Sequence, residues 1–421
     1  MAARKATEEH RIMGLEVAQY FTQNPKYKFV DFAGLGRHGG ALILSEMSET
    51  DLGVEVRKMV VKYSYGALVV DDASDADADA DLRNEYYWLT KLRGAEHIVQ
   101  LVPMADCSVM IPGISDGEDT YAQSVQNQKE NEQAAVAPAP DVEEQPKAPR
   151  PRRCPTFALE YLPWGTLHTF NRKLARDGVA WLPSRLLWRI WLCMVRQCIA
   201  MAFPPNITEE QFAQGYLARE VIKDQPFFQL TQNSAHFANY VFGDAIIRRD
   251  EHEPNLPVLK LIDFGRGKEE PYSRGERKLP NTPLEFGSRM NLYVAALSFM
   301  DLCCRNAPPG TSFAALKEQV SYFYKLADDS VKRVETRAPF VLRNNGIMDP
   351  QLRHLLVRII TYVWTEIPSL AEVLAETEAA VANKGPDDPS LITDQGRALG
   401  VSETDETIQG IIQRYIYDVG S

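Results

Sequence analysis

The sequence lacks three features that would place it in a simple class. No run of 18 apolar residues occurs in its 421 residues, so no segment is typical of a membrane-spanning helix. Lys and Arg number 46 against 57 for Asp and Glu, and the net charge of −11 argues against nucleic-acid or membrane partners. The N-terminal stretch is charged and has no apolar signal-peptide core, so we expect a cytoplasmic or nuclear protein.

Metal-binding patterns are also missing. The 6 cysteines form no CxxC pair, and Cys193 and Cys198 lie in an apolar helical run, which favours buried, reduced thiols over zinc ligands or disulfides. Residues 71–81 carry six aspartates but lack the Gly and Glu that a calcium loop requires. We therefore expect a solvated loop there rather than a metal site.

The order of predicted elements indicates the fold class. Three candidate strands follow an N-terminal helix, a helix covers Leu82–Arg93, and another strand is predicted at Thr156–Tyr161. Residues 113–153 are polar and Pro-rich and are predicted to be disordered. The chain beyond residue 167 is mostly helical in pattern, including a predicted helix at Phe313–Leu326. Strands followed by helices predict an α+β fold with two lobes.

The first chemical motif is a glycine pattern between two predicted strands. Gly34, Gly36 and Gly39 fit GxGxxG, but a hairpin turn alone would explain such a match. Because no helix follows, the pattern differs from a dinucleotide-binding loop. The next strand ends at Lys62, and Glu85 follows 23 residues later on the predicted helix. A hairpin of this kind covers phosphates in some enzymes, where a strand lysine pairs with a helical glutamate.

Two later motifs extend this pattern. The segment from Glu160 to Leu162 ends a predicted strand and is followed by Pro163 and a predicted helix. An apolar strand, Leu259–Ile262, runs directly into Asp263-Phe264-Gly265. Any one of these matches could arise by chance, but their order and spacing together are specific.

In this order the motifs resemble the protein-kinase-like superfamily over residues 25–382, and divergent fungal members of it in particular. The resemblance implies a bilobal fold, with a β-rich N-lobe at 25–162 interrupted by the 113–153 insertion and a helical C-lobe at 163–382. Residues 1–24 form an N-terminal helical extension, and 383–421 a polar tail with a short docking helix. ATP and Mg²⁺ are implied in the cleft between the lobes, with a Ser/Thr of a protein as substrate. The implied nucleotide-binding residues are Gly34, Gly36, Gly39, Lys62, Glu85, Glu160 and Leu162, with backbone groups near Glu160–Leu162 expected to bind an adenine edge. The implied metal ligands are Asn239 and Asp263.

The catalytic loop departs from the family pattern. With Asn239 at the metal-binding asparagine, the catalytic aspartate position holds Ser234, and Gln232 and Asn233 stand where His and Arg are usual. A serine hydroxyl is a poor base. His236, two residues later, is the nearest titratable group and a candidate substitute base. In the predicted central helix, Asn291 also replaces the usual aspartate.

These observations leave several interpretations open. The favoured one is a pseudokinase that binds ATP–Mg²⁺ but is catalytically impaired, acting as a scaffold or allosteric regulator of an unidentified protein partner. The others are an active Ser/Thr kinase with a non-standard loop, an interaction domain that has lost nucleotide binding, and a small-molecule kinase. The substrate, the pathway and the oligomeric state are not encoded in any of these motifs.

Overall fold

A computed structural model describes most of the chain. The described residues are 2–36, 39–51, 53–64, 77–102, 156–224, 228–244, 256–269, 286–305, 319–325, 330–361 and 363–418. The predicted disordered insertion at 113–153 therefore lies outside the described residues. The chain divides into two compact units, the first formed by Met1–Lys91 with Gln100–Tyr161 and the second by Leu92–Val99 with Leu162–Ser421.

The first unit is an antiparallel four-stranded sheet with two helices. Its sheet has the order β1-β2-β3-β4. The elements are α1 (Ala2–Thr22), β1 (Tyr27–Leu35), β2 (Gly39–Met47), β3 (Glu55–Ser64), α2 (Asp77–Lys91) and β4 (Thr156–Glu160).

One face of this sheet is covered by α1. Phe21 of α1 packs with Leu44, Met59 and Val61, which are fully shielded from solvent. These side chains alternate along β2 and β3 because successive residues of a strand point to opposite faces. Lys62, between buried Val61 and Tyr63, therefore projects from the other face of β3.

The aspartate-rich segment is only partly a loop. Residues 71–76 lie outside the described residues, but Asp77 begins α2, so the expectation of a loop through residue 81 is wrong for 77–81.

The second unit is mainly helical. Its longest helix, α4, is shielded from solvent over nearly its whole length and packs against α6 and α9. Two short strands, β6 and β7, pair antiparallel beside it. The helices are α3 (Leu167–Arg176), α4 (Ser184–Ala202), α5 (Glu209–Ala213), α6 (Phe286–Cys303), α7 (Phe340–Arg343), α8 (Pro350–Ile359), α9 (Leu370–Asn383), α10 (Asp394–Ala398) and α11 (Asp405–Ile412), and the strands are β5 (Leu230–Thr231), β6 (Tyr240–Phe242), β7 (Leu259–Leu261), β8 (Lys268–Glu269), β9 (Val320–Lys325) and β10 (Val331–Thr336).

A β-hairpin occupies part of the segment predicted to be helical. The helix expected at Phe313–Leu326 is wrong over 320–325, where β9 pairs with β10. Tyr322 and Tyr324 are two residues apart on β9, so their side chains lie on the same face of the strand. Both rings lie within 6 Å of the His354 ring on α8. Aromatic residues favour pleated surfaces, and this one-sided packing stabilises a strand over a helix.

The C-terminal segment packs onto the second unit. After α11, a π-helical turn covers Gln413–Tyr417, and Ile408, Ile412 and Ile416 are buried. Glu403, which precedes α11, is also buried and accepts hydrogen bonds from the backbone amides of Ser184 and Arg185. A carboxylate at this position satisfies free amides at the start of α4, where Pro183 has no side chain able to do so.

The fold class agrees with the prediction. The chain has a mixed architecture, with a β-rich N-terminal unit and a larger helical C-terminal unit. Within the described ranges, no helix combines the length and apolar character needed to cross a membrane.

Candidate nucleotide and catalytic-loop residues

The glycine motif lies at the β1–β2 turn of the first unit. Gly34 pairs with Ala41 across the hairpin, and the amide of Gly36 donates to the carbonyl of Gly39 at 2.9 Å. A Cβ on Gly39 would collide with the carbonyl oxygen of Tyr63, so this glycine is required by close packing against β3. Within the described part of the chain, a Cβ on Gly34 would have no heavy atom within 4 Å, so this glycine leaves open space that a ligand could approach.

This difference predicts opposite responses to alanine. Gly39→Ala is expected to destabilise the first unit by about 1–3 kcal/mol, the usual cost of overpacking. Gly34→Ala should change stability by less than about 0.5 kcal/mol, as for open surface sites. Chemical denaturation followed by circular dichroism would measure both. Equal losses for the two variants would contradict the packing argument.

Lys62 and Glu85 form an ion pair in the first unit. The ammonium of Lys62 donates to both carboxylate oxygens of Glu85, at 2.7 and 2.6 Å. Only 3% of the Glu85 side chain is exposed, against 21% for Lys62. The carboxylate is therefore fixed by its burial in α2, and it orients a lysine that is still reachable from solvent.

The segment after β4 was predicted to bind an adenine edge through its backbone. The Glu160 side chain accepts from the amide of Gln100 at 2.8 Å, and the Glu160 amide donates to the Gln100 carbonyl at 3.0 Å. Glu160 therefore ties β4 to the neighbouring segment. In the described part of the chain, the backbone of Leu162 makes no hydrogen bond. Its amide and carbonyl are therefore among the groups of this segment that a ligand could contact.

Asn239 and Asp263 meet in the second unit although 24 residues separate them. Asn239 ends the turn before β6, Asp263 follows β7, and the amide of Ile262 donates to the Asn239 carbonyl at 2.9 Å. The side-chain nitrogen of Asn239 lies 3.4 Å from the Asp263 carboxylate. Asp263 has φ 65°, a left-handed conformation that is costly for a residue with a side chain. Such strain is held by the surrounding contacts and is typical of functional sites.

Gln232 supplies contacts that hold Asp263. Its side-chain nitrogen donates to the Asp263 carbonyl at 2.6 Å, and its side-chain oxygen accepts from the amide of Ser234 at 2.8 Å. The backbone amide of Gln232 donates to the Asn291 side chain, which in turn donates to the Leu230 carbonyl at 2.7 Å. An aspartate at 291 could accept the first bond but could not donate the second.

The loop is thus held by the neutral side-chain amides of Gln232, Asn239 and Asn291. Ser234 is half-buried, and its carbonyl accepts from the Asn239 side chain at 2.8 Å. Both backbone groups of residue 234 are therefore fixed in place. Residues 232, 234 and 291 belong to one hydrogen-bond network.

His236, the candidate substitute base, lies on the surface of the loop. Its side chain is exposed, and in the described part of the chain only its backbone carbonyl is hydrogen-bonded, by the amide of Asn239 at 2.8 Å. A general base must lie within hydrogen-bond reach of the proton it removes. No contact in the described residues holds the imidazole in one such position.

A buried ion pair behind β7 was not anticipated from the sequence. Glu220 accepts from the His97 backbone amide at 2.7 Å and contacts its Nδ1 at 2.8 Å. Burial lowers the pKa of His97, but the negative charge of Glu220 and the side-chain hydrogen bonds with Cys193 and Glu220 together raise it to about 10. The backbone of residues 97 and 99 bonds to Leu261, two residues before Asp263. The only sequence signal was His97 itself, because Glu220 lies in a segment without any motif.

Comparisons with known proteins give a limited result. No protein-family model matches the chain, and no curated protein matches its sequence. Among solved structures, the chain is similar to the CAK complex from Chaetomium thermophilum bound to ATP-γ-S, at 14% identity and a TM-score of 0.45. The match covers 89% of this chain and 98% of the other. A likeness at this level assigns neither a ligand nor an activity to this chain.

Proposed function

We propose that this protein is a pseudokinase that binds ATP with Mg²⁺ and is impaired in phosphoryl transfer. The observation that carries the proposal is the placement of Asp263, in a left-handed conformation, beside the Asn239 side chain. A strained backbone conformation of this kind persists only where surrounding contacts hold the residue in place. Here the Gln232 side chain holds Asp263 by donating to its carbonyl.

The first unit supports the phosphate side of the proposal. Lys62 is held by a buried glutamate and remains partly exposed, which suits a cation that contacts the α- and β-phosphates of ATP. The open face at Gly34 would allow backbone amides to approach phosphate oxygens.

The second unit supports the metal side. In the described residues, the Oδ1 atoms of Asn239 and Asp263 accept no hydrogen bond. Amide and carboxylate oxygens suit Mg²⁺, which is commonly held by one or two such groups together with waters and substrate phosphates. No group of three His, Cys, Asp or Glu able to hold a metal occurs among the described residues. The donor set therefore fits an ion that arrives with a nucleotide, and the ion would neutralise phosphate charge.

The catalytic loop supports the impairment. Residue 234 occupies the position from which a base would orient the substrate hydroxyl, but serine cannot hold the proton. Without efficient transfer, the function we propose is that of a scaffold or allosteric regulator, in which nucleotide binding stabilises a surface read by a protein partner. The proposal places the protein in the cytoplasm or nucleus, with no nucleic-acid or membrane partner.

Titration calorimetry with ATP and Mg²⁺ tests the binding role of Lys62. Lys62→Met should weaken binding by about ten- to hundredfold, as expected for loss of hydrogen bonds from a charged donor. The matched control is Lys91→Met, an exposed lysine on the same helix as Glu85, which should bind within about twofold of wild type. Equal affinity in all three proteins would exclude Lys62 from the nucleotide site and contradict the proposal.

A further inference from the structure

The last described residues of the chain contact the segment that follows β4. The Tyr417 ring lies edge-on to the Trp164 ring, with 4.7 Å between centroids and an angle of 87°. Lys173 on α3 donates to the Asp418 carbonyl at 2.7 Å, and Arg414 pairs with Asp177 at 2.6 Å. Three separate contacts thus hold this end of the chain against α3 and the residues on either side of it.

The contacted segment is hydrogen-bonded to β6. The Trp164 amide donates to the Phe242 carbonyl at 3.3 Å, and the Phe242 amide donates to the Gly165 carbonyl at 2.8 Å. Thr166 and Val241 form a further bridge. Asn239 immediately precedes β6, and Asp263 follows the strand paired with it. A continuous set of contacts therefore runs from Tyr417 to the two residues assigned to the metal.

Leu162 is joined to the same structure. A Cβ placed on Gly243, the residue after β6, would lie 3.0 Å from the Leu162 side chain and 3.8 Å from that of Lys260 on β7. Movement of Trp164 and Gly165 would therefore change the position of Leu162 as well as that of β6. Both the proposed adenine contact and the proposed metal ligands depend on this small region.

We propose that residues 403–418 act as an intramolecular brace that sets nucleotide affinity by holding Trp164 against β6. This inference rests on the proposed function. Glu403 anchors one end of the brace at the start of α4, where its side chain is almost fully buried. Tyr417 is the positioning residue at the other end. Release of the brace would loosen the nucleotide site without removing any group assigned to nucleotide or metal.

The test compares Tyr417→Ala with two matched variants. Tyr417→Phe keeps the ring that meets Trp164, and Tyr216→Ala removes a tyrosine of the same unit that is 50% exposed. An edge-on aromatic pair of this kind corresponds to about three- to tenfold in an equilibrium constant. We therefore expect three- to tenfold faster hydrogen exchange at the Trp164 and Phe242 amides in Tyr417→Ala, and a similar loss of ATP–Mg²⁺ affinity. Both matched variants should behave as wild type.

The outcomes separate the brace from the proposed function. Unchanged exchange in Tyr417→Ala would overturn the brace, and so would faster exchange with unchanged affinity. Equal weakening of binding in Tyr417→Phe would show that the aromatic contact is not responsible, which also overturns it. If wild type binds no nucleotide, the proposed function fails and the role of the brace fails with it.

Discussion

Glu220→Ala is expected to lower the free energy of unfolding by about 3–5 kcal/mol, because it removes one partner of a buried ion pair. Both side chains of the His97–Glu220 pair are about 1% exposed. The variant would leave His97 buried without its counter-charge and its backbone amide without an acceptor. The matched control is Glu209→Ala, which breaks an ion pair with Arg93 in which the carboxylate is 79% exposed. Surface pairs contribute about 0–1 kcal/mol, so this variant should unfold nearly as wild type does.

The same pair predicts a pH dependence. The pKa of His97 is raised from 6.5 to about 10, so its contribution is complete below pH 6.5 and is lost as the pH rises towards 10. The pKa of Glu220 is lowered from 4.5 by the charge of His97, although burial opposes this, so its contribution is present above pH 4.5 and is lost in acid. The stability difference between wild type and Glu220→Ala should therefore be largest between pH 4.5 and 6.5. A difference that grows from pH 7 to pH 10 would contradict this assignment.

Phosphoryl transfer by the wild-type protein is expected to be about 10²–10⁴-fold slower than in a kinase with a catalytic aspartate, because Ser234 cannot act as a general base. Ser234→Asp should restore only weak activity. The backbone of residue 234 is already held by Gln232 and Asn239, so a carboxylate would be well placed. However, a single charge would be introduced into a loop whose other contacts come from neutral amides.

Transfer of labelled phosphate to a generic protein substrate measures this, with Asp263→Ala as the control for contaminating kinases. Activity that survives Asp263→Ala would come from a contaminant. The interpretation fails if wild type is robustly active and loses that activity in both Asp263→Ala and His236→Ala. His236 would then be the base, despite its exposed position in the structure.

The sequence predicted elements with strong local patterns. The strands around the glycine motif, the apolar helix α4, the strand after Asn239 and the strand before Asp263 all lie within a few residues of their predicted positions. The apolar stretch at Phe313–Leu326 was misassigned in its described part because its pattern suits either structure. The strand is stabilised by pairing with β10 and by packing against His354, and neither contact can be recognised from the residues of the stretch itself.

The site was predictable only as a set of residue types. The motifs predicted that Lys62 would pair with Glu85 and that Asn239 and Asp263 would share a metal site, because the motifs that the sequence resembles contain both pairs. The motifs did not show that a side chain at position 39 would collide with the Tyr63 backbone, or that position 34 faces open space. They also presented Gln232, Ser234 and Asn291 as separate losses. In three dimensions Gln232 bonds to both of the others, so the three residues belong to a single hydrogen-bond network.

Two further features depend on long-range packing that leaves no motif. Glu220 pairs with His97 across 123 residues. Tyr417, near the end of the second unit, contacts Trp164, near the start of that unit's longer segment. Glutamate and tyrosine are common at exposed positions, so neither residue stands out in a single sequence. Only the folded arrangement shows that one is fully buried and the other contacts the residues beside β6.

The central claim is nucleotide binding that depends on Asp263, and thermal unfolding with ATP in the presence and absence of Mg²⁺ tests it most directly. Ligand at about 100 times its Kd stabilises a protein by roughly 2.7 kcal/mol, which gives a clear rise in Tm. We predict a rise for wild type with ATP and Mg²⁺, a smaller one when Mg²⁺ is chelated, and no Mg²⁺-dependent part in Asp263→Ala. No rise in Tm for wild type at millimolar ATP and Mg²⁺ would contradict nucleotide binding. It would favour the alternative of an interaction domain that has lost nucleotide binding.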